Sequence, residues 1–145
     1  MITKAFWDSS VLVPLCAKQA KTHIAKNLFS KYQPVVWWGT RVEMVSALTR
    51  LKRMGEVSEH DYPRAKRDTF KLINGCIMVQ PSPIIESLAM DLLEKYPLRA
   101  GDAFQLAAAL EWCEREPDGQ VFLTADLRLA EAAASAGFTQ ELGLV

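Results

Sequence analysis

The sequence predicts an α/β protein, a three-layer α/β/α arrangement around a central parallel sheet of four to five strands. Three observations predict it. Short runs of aromatic and β-branched residues alternate with longer amphipathic stretches along the whole chain. Serine, aspartate and proline start signals and glycine stop signals punctuate those stretches. Acidic residues recur where a strand-like run gives way to a helix. At 145 residues, half of them hydrophobic and 23% charged, the expectation is one globular domain over residues 1–145.

In order, the first strand is centred on Ala5-Phe-Trp7 and stops at Asp8, after which Ser9 or Ser10 can cap a short helix from Val11 to Cys16. Pro14 is tolerated there if it lies in the first turn. Lys18 to Tyr32 reads as an amphipathic helix with Ile24, Leu28 and Phe29 on one side. Pro34 leads into a second strand, Val35 to Trp38, and Gly39-Thr40 opens a helix to Met54 that Gly55 stops. Ser58 starts a helix through Leu72, and Asn74-Gly75 turns into a third strand, Cys76 to Val79.

Ser82 followed by Pro83 is an N-cap with proline at the first helical position, so a helix runs to about Tyr96 and ends at Pro97. Ile84, Leu88 and Leu92 form its expected core stripe. Gly101-Asp102 opens a nearly all-apolar helix, Ala103 to Cys113, that must be buried on most sides. Pro117-Asp118-Gly119 is a turn, Gln120 to Leu123 a fourth strand, and Asp126 to Ala136 a helix stopped by Gly137. A last short strand near Gln140 to Leu142 would bring the count to five.

Several functional classes are set aside by composition. No apolar run approaches the ~20 residues that cross a bilayer, and the N-terminus lacks a basic-then-apolar leader. Cys16, Cys76 and Cys113 are an odd, widely spaced set and read as buried reduced thiols of a cytoplasmic protein, not a disulfide framework or zinc site. His23 and His60 have no ligand-spaced partner. The net charge is zero but unevenly placed. Residues 1–75 carry 13 Lys and Arg against 6 Asp and Glu, net +7, and residues 76–145 carry 4 against 11, net −7. A basic surface contributed by the first half suits a nucleic-acid backbone, although single lysines are more often just solvated.

Four acids stand at strand ends or helix starts: Asp8, Glu43, Asp102 and Asp126. Each has a plain structural reading. Thr40 to Glu43 matches a capping box, Asp102 favours the positive end of a helix dipole, and Asp126 can cap the helix that follows it. Taken together, Asp8, Glu43 and Asp126 each follow a strand, hence share the carboxyl edge of a parallel sheet, where ligands bind. Asp102 opens a helix forced into the core beside that edge. Carboxylates converging there repel one another unless cations compensate. An all-oxygen, anionic donor set suits Mg²⁺ or Mn²⁺, ions that serve in-line attack of water on phosphodiesters.

Asp8-Ser-Ser10, Glu43 within Val-Glu-Met-Val-Ser-Ala-Leu, Asp102-Ala-Phe-Gln-Leu-Ala107 and Thr124-Ala-Asp126-Leu-Arg-Leu129 resemble, in order and spacing, the four blocks of PIN-domain nucleases. A PIN domain of this size is similar to the toxin ribonucleases of VapBC-type toxin–antitoxin pairs. The resemblance implies a Mg²⁺- or Mn²⁺-dependent endoribonuclease, a homodimer, held in check by a small antitoxin protein. It implies Asp8 and Asp102 as principal metal ligands, Glu43 and Asp126 as the remaining acids, and Ser10 and Thr124 as polar neighbours.

Arg99, three positions before Asp102, can contact a phosphate or simply pair with the acids. Arg41 and the cluster Arg50, Lys52 and Arg53 can line an RNA path or form a solvated helix face. Alternation along the second strand buries one of Trp37 and Trp38 and leaves the other free to stack on a base. A dehalogenase-like phosphatase remains an alternative, although its pattern wants an aspartate where Ser10 stands. So do an RNA-processing nuclease without an antitoxin and a non-catalytic binding module.

Overall fold

The computed structural model describes residues 2–145. Four strands, β1 (Thr3–Trp7), β2 (Tyr32–Trp37), β3 (Ile77–Val79) and β4 (Val121–Leu123), form one sheet in the order β3-β2-β1-β4, and every pairing is parallel. The helices are α1 (Ser9–Cys16), α2 (Thr22–Lys31), α3 (Thr40–Arg53), α4 (Tyr62–Asn74), α5 (Pro83–Lys95), α6 (Ala100–Trp112) and α7 (Leu127–Ala136).

Side-chain alternation along the strands divides the interior in two. Ala5, Trp7, Val36 and Leu123 face a core closed by α1, α2, α3 and α4. Phe6, Val35, Trp37 and Phe122 face a second core closed by α5, α6 and α7. Phe6 and Phe122 are register partners on β1 and β4, and their rings stack at 5.4 Å. The three layers and the parallel sheet match the PIN-like arrangement expected from the sequence, with four strands. Strands buried on both faces explain why Ala5 to Trp7 reads as an unbroken apolar run.

Several elements differ from expectation. The last strand is reduced to a single bridge: Thr139 pairs with Val121, its N–H donating to Gln120 O at 2.8 Å and its carbonyl accepting from Phe122 N at 3.0 Å. Leu142 is 96% exposed, and Gly143 turns the chain with φ +87°, so nothing packs a strand there. β2 begins at Tyr32, through Pro34, because β3 pairs only from Val35 onward and needs no N–H from Pro34. Pro14 lies inside α1, beyond its first turn, and the helix ends two residues later. α2 starts at Thr22, whose hydroxyl accepts from Gln19 N; it buries Ala25 and Leu28, while Phe29 stays exposed. Ser58 caps only a turn, accepting from Asp61 N, and α4 starts at Tyr62. The core stripe of α5 is Ile85, Ala89 and Leu92, not Ile84, because Ser82 caps the helix and Pro83 turns Ile84 outward.

Gly137 ends α7 in the left-handed conformation expected of a helix stop. Cys16, Cys76 and Cys113 are free and partly buried, and burial raises the pKa of each thiol. No helix among the described residues is long and apolar enough to cross a membrane.

α6 is the helix with the deepest burial, carrying Ala103 and Gln105 to Ala109 into the second core. Leu106→Ala should therefore cost about 2–5 kcal/mol by leaving a cavity against the sheet. Urea unfolding with an unchanged m-value measures it, and a loss below about 0.5 kcal/mol would contradict this packing.

Candidate active site

The four strands end on one edge: Asp8 and Asp126 stand in the turns that leave it, Glu43 in the first turn of α3 after β2, and Asp102 in the first turn of α6 beside it. Asp8 follows Trp7 directly, and its backbone N–H continues the ladder by donating to Leu123 O at 2.9 Å. That bond seats Asp8 beside the end of β4. Its side chain is the N-cap of α1, so neither serine has that role: the serine hydroxyls point to acids instead. Asp8 Oδ2 accepts from Ser10 Oγ at 2.6 Å, Thr124 Oγ1 at 2.8 Å and Ser10 N at 3.4 Å. The same hydroxyls take backbone N–H bonds, Ser10 Oγ from Ala125 at 2.9 Å and Thr124 Oγ1 from Asp126 at 3.1 Å. Asp126 Oδ1 caps α7 by accepting from Leu129 N at 2.9 Å.

Glu43 does not close a capping box. Thr40 is the first residue of α3, Gly39 is the N-cap, and no side chain caps the helix. Glu43 Oε1 instead accepts from Gln105 Nε2 at 3.0 Å and from Ser9 Oγ at 3.2 Å. Gln105 Nε2 also donates to Thr40 Oγ1 at 3.0 Å. Gln105 is fully buried, and its Oε1 has no partner. This residue was missed as a site member. The signal was present: it is the one polar side chain in the run Ala103 to Leu110, three residues after Asp102 and so on the same helix face. Ser9, expected from the sequence only as a cap, is a further member of the site through its bond to Glu43.

Asp8, Glu43, Asp102 and Asp126 line one open cleft of about 780 Å³, together with Arg50, Arg99 and Arg128. Among the described residues, no three acidic, histidine or cysteine side chains close around one point. Two of the cleft's three arginines come from the acidic half of the chain, so the cations at the acids are not supplied only by the basic half. Arg50 reaches the cleft, while Lys52, two residues on, lies over the Tyr62 ring at 4.2 Å. Helical geometry separates them by about 200°. Arg41 sits by Phe70 and Asn74 outside the cleft.

Electrostatics follow from this placement. Burial raises the Asp8 pKa, against the lowering effect of Ser10 and Thr124; the residue is only 4% exposed. Glu43 is pushed up to about 7, first by burial and then by the charges of Asp8 and Asp102. Asp102 is pushed up to about 6 by burial and by Asp8 and Asp126, with Arg99 opposing. Three carboxylates thus hold protons more strongly than they would in water.

Against known proteins, no family model matches the chain and no curated protein matches it. Solved structures do share its fold. PAE2754 from Pyrobaculum aerophilum is 21% identical with a TM-score of 0.67, covering 97% of this chain and 90% of its own. VapC20 of Mycobacterium tuberculosis, a Sarcin-Ricin loop cleaving toxin, is 17% identical with a TM-score of 0.65, covering 94% and 97%. VapBC2 from Rickettsia felis, bound to a DNA fragment from its promoter, is 9% identical with a TM-score of 0.61, covering 97% and 99%. The chain is therefore similar in structure to VapC toxins, over nearly the full length of each.

A raised acid pKa makes folding pH-dependent. Glu43 contributes its full share of stability below about 4.5 and loses it as pH climbs through about 7. Glu43→Gln should raise Tm at pH 8, where the charge is removed, and leave it nearly unchanged at pH 4, where Glu43 is neutral in both the folded and the unfolded state. Equal effects at both pH values would rule out a proton-holding Glu43.

Proposed function

We propose that this protein is a Mg²⁺- or Mn²⁺-dependent endoribonuclease, the toxin of a toxin–antitoxin pair, cleaving RNA phosphodiesters at the cleft of Asp8, Glu43, Asp102 and Asp126. The observation that carries this reading is the four carboxylates on one sheet edge, three of them raised in pKa. Such a cluster is costly to folding, and a divalent cation turns that cost into binding energy. The likeness to toxin structures supports the same reading.

The donor set fits the ion. Every charged donor is an oxygen, and no cysteine or histidine lines the cleft to favour zinc. Mg²⁺ keeps several of its waters and is bound through one or two carboxylates, so acids lining an open cleft suit it even though no three close on one point. Asp8 and Asp102 would be the principal ligands, with Glu43 and Asp126 beside them. When bound, the ion neutralises phosphate charge and lowers the pKa of water.

The chain's own residues do the rest. Ser10 and Thr124 hold Asp8 Oδ2, leaving Oδ1 with only a long 3.5 Å contact from Ser9 Oγ. Gln105 and Ser9 hold Glu43 Oε1, so its second oxygen turns toward the cleft beside Gly101, where an added Cβ would come within 3.5 Å of it. Arg99 and Arg128 at the rim offer forked donors for the phosphates of an RNA strand. Metal uptake must displace the protons that Glu43 and Asp102 hold, so affinity rises with pH. An antitoxin protein and a second copy of the chain are the proposed partners, and the cytoplasm the proposed site of action.

Two measurements test this. Purified protein should cut single-stranded and structured RNAs with Mg²⁺ or Mn²⁺, and both EDTA and Asp8→Asn should reduce the rate at least 100-fold. Full-rate cutting by Asp8→Asn and by Asp102→Asn would refute the assignment. Separately, Mn²⁺ should raise Tm more at pH 8 than at pH 5.5, and a larger rise at the lower pH would exclude these acids as ligands.

A further inference from the structure

We propose that a second cleft, built on Trp38, is a subsite that stacks one unpaired base of the RNA; this rests on the ribonuclease reading and deepens it. Trp38 follows β2 on the edge that carries the acids. Its indole is 54% exposed, while Trp37 is buried. Trp37 is stacked on Phe104 of α6, with centroids 5.4 Å apart and planes within 6°. Trp38 meets Trp37 in a T-shaped contact at 6.4 Å and 73°, and more than half of its surface stays open to solvent. These three rings, with Gly39 and Pro83, wall a cleft of about 590 Å³ that has Ser82 and Glu86 among its lining residues.

The cleft is a built feature. A Cβ on Gly39 would fall 2.6 Å from Trp37 Nε1, and that ring cannot retreat because Phe104 backs it. Only glycine lets the backbone lie against the indole here.

The chemistry of the walls and their position beside the acids identify the occupant. Phe104 stands two residues after Asp102, so the two project from nearly opposite sides of α6, across a helix about 10 Å wide. Glu43 is one turn along α3 from Thr40, which adjoins Gly39. The Thr40–Gln105 bond, 3.0 Å, ties the two helices together between the clefts. The two clefts share no lining residue and are separated by the width of α6, about 10 Å, so the base that reaches Trp38 belongs to a nucleotide two or more positions from the phosphate at the acids. Phosphates do not suit this second cleft, whose walls are apolar and whose charged member is an acid. A base suits it: its face stacks on indole, and its amino or ring N–H groups can donate to Glu86. Bases stacked inside a duplex cannot enter, so the subsite selects single strands and loops.

The test is fluorescence anisotropy of a labelled ten-nucleotide single-stranded RNA, with EDTA present so that binding is read without cleavage. Trp38→Ala should weaken binding about 5- to 100-fold, and Trp38→Phe should restore most of it. Binding of the same sequence as a duplex should not respond to Trp38→Ala. Unchanged single-strand affinity in Trp38→Ala, with the wild type still cutting RNA, overturns the subsite alone and leaves the cleft to a protein partner. Wild-type protein that neither binds nor cuts RNA overturns the ribonuclease reading and the subsite with it.

Discussion

Asp8 is a carboxylate buried where β1 hands over to α1, and the geometry of the whole sheet edge depends on how its charge is accommodated. Burial opposes ionisation, and the hydroxyls of Ser10 and Thr124 offset part of that cost by donating to one oxygen. Each hydroxyl also accepts a backbone N–H from the turn between β4 and α7. A demand for hydrogen bonds at the end of one strand therefore sets the position of the turn after another. Asp126, which caps α7 from the same turn, is placed by the same bonds.

The second constraint is α6. Its alanine-rich run lets it pack close to the sheet, and the burial that stabilises it carries Asp102 and Gln105 inward. Gln105 spends both contacts of its amide nitrogen on α3, one on Thr40 and one on Glu43. Glu43 is thus oriented by a residue more than sixty positions away in sequence, and a local capping rule had no means to foresee it. Gln105 Oε1, buried and unpaired, shows that the site accepts an unsatisfied polar atom to hold this geometry.

These constraints leave several like charges in one place. The charge of Asp8 raises the pKa of both Glu43 and Asp102, Asp102 raises that of Glu43, and the arginines facing them sit at the rim of an open cleft. The halves of the chain, opposite in charge, meet there: Arg50 comes from the basic half, Arg99 and Arg128 from the acidic one. Net charge by sequence half was therefore a poor guide to the cleft, because the fold interleaves α3, α6 and α7 at a single edge.

The sequence by itself determined the alternation of strands and helices, the parallel sheet, the buried character of α6, the helix start at Ser82 and the stop at Gly137, and which acids fall at element ends. Those follow from local periodicity and caps, which act within a few residues. Only the tertiary structure decided where side chains point. Thr40 and Glu43 forgo their capping box because a buried glutamine competes for both. Ser9 and Ser10 turn to carboxylates because Asp8 already caps α1. The last strand dwindles to Thr139 because nothing covers Leu142. At Glu43 a contact between distant segments outweighed a local preference worth about 1 kcal/mol.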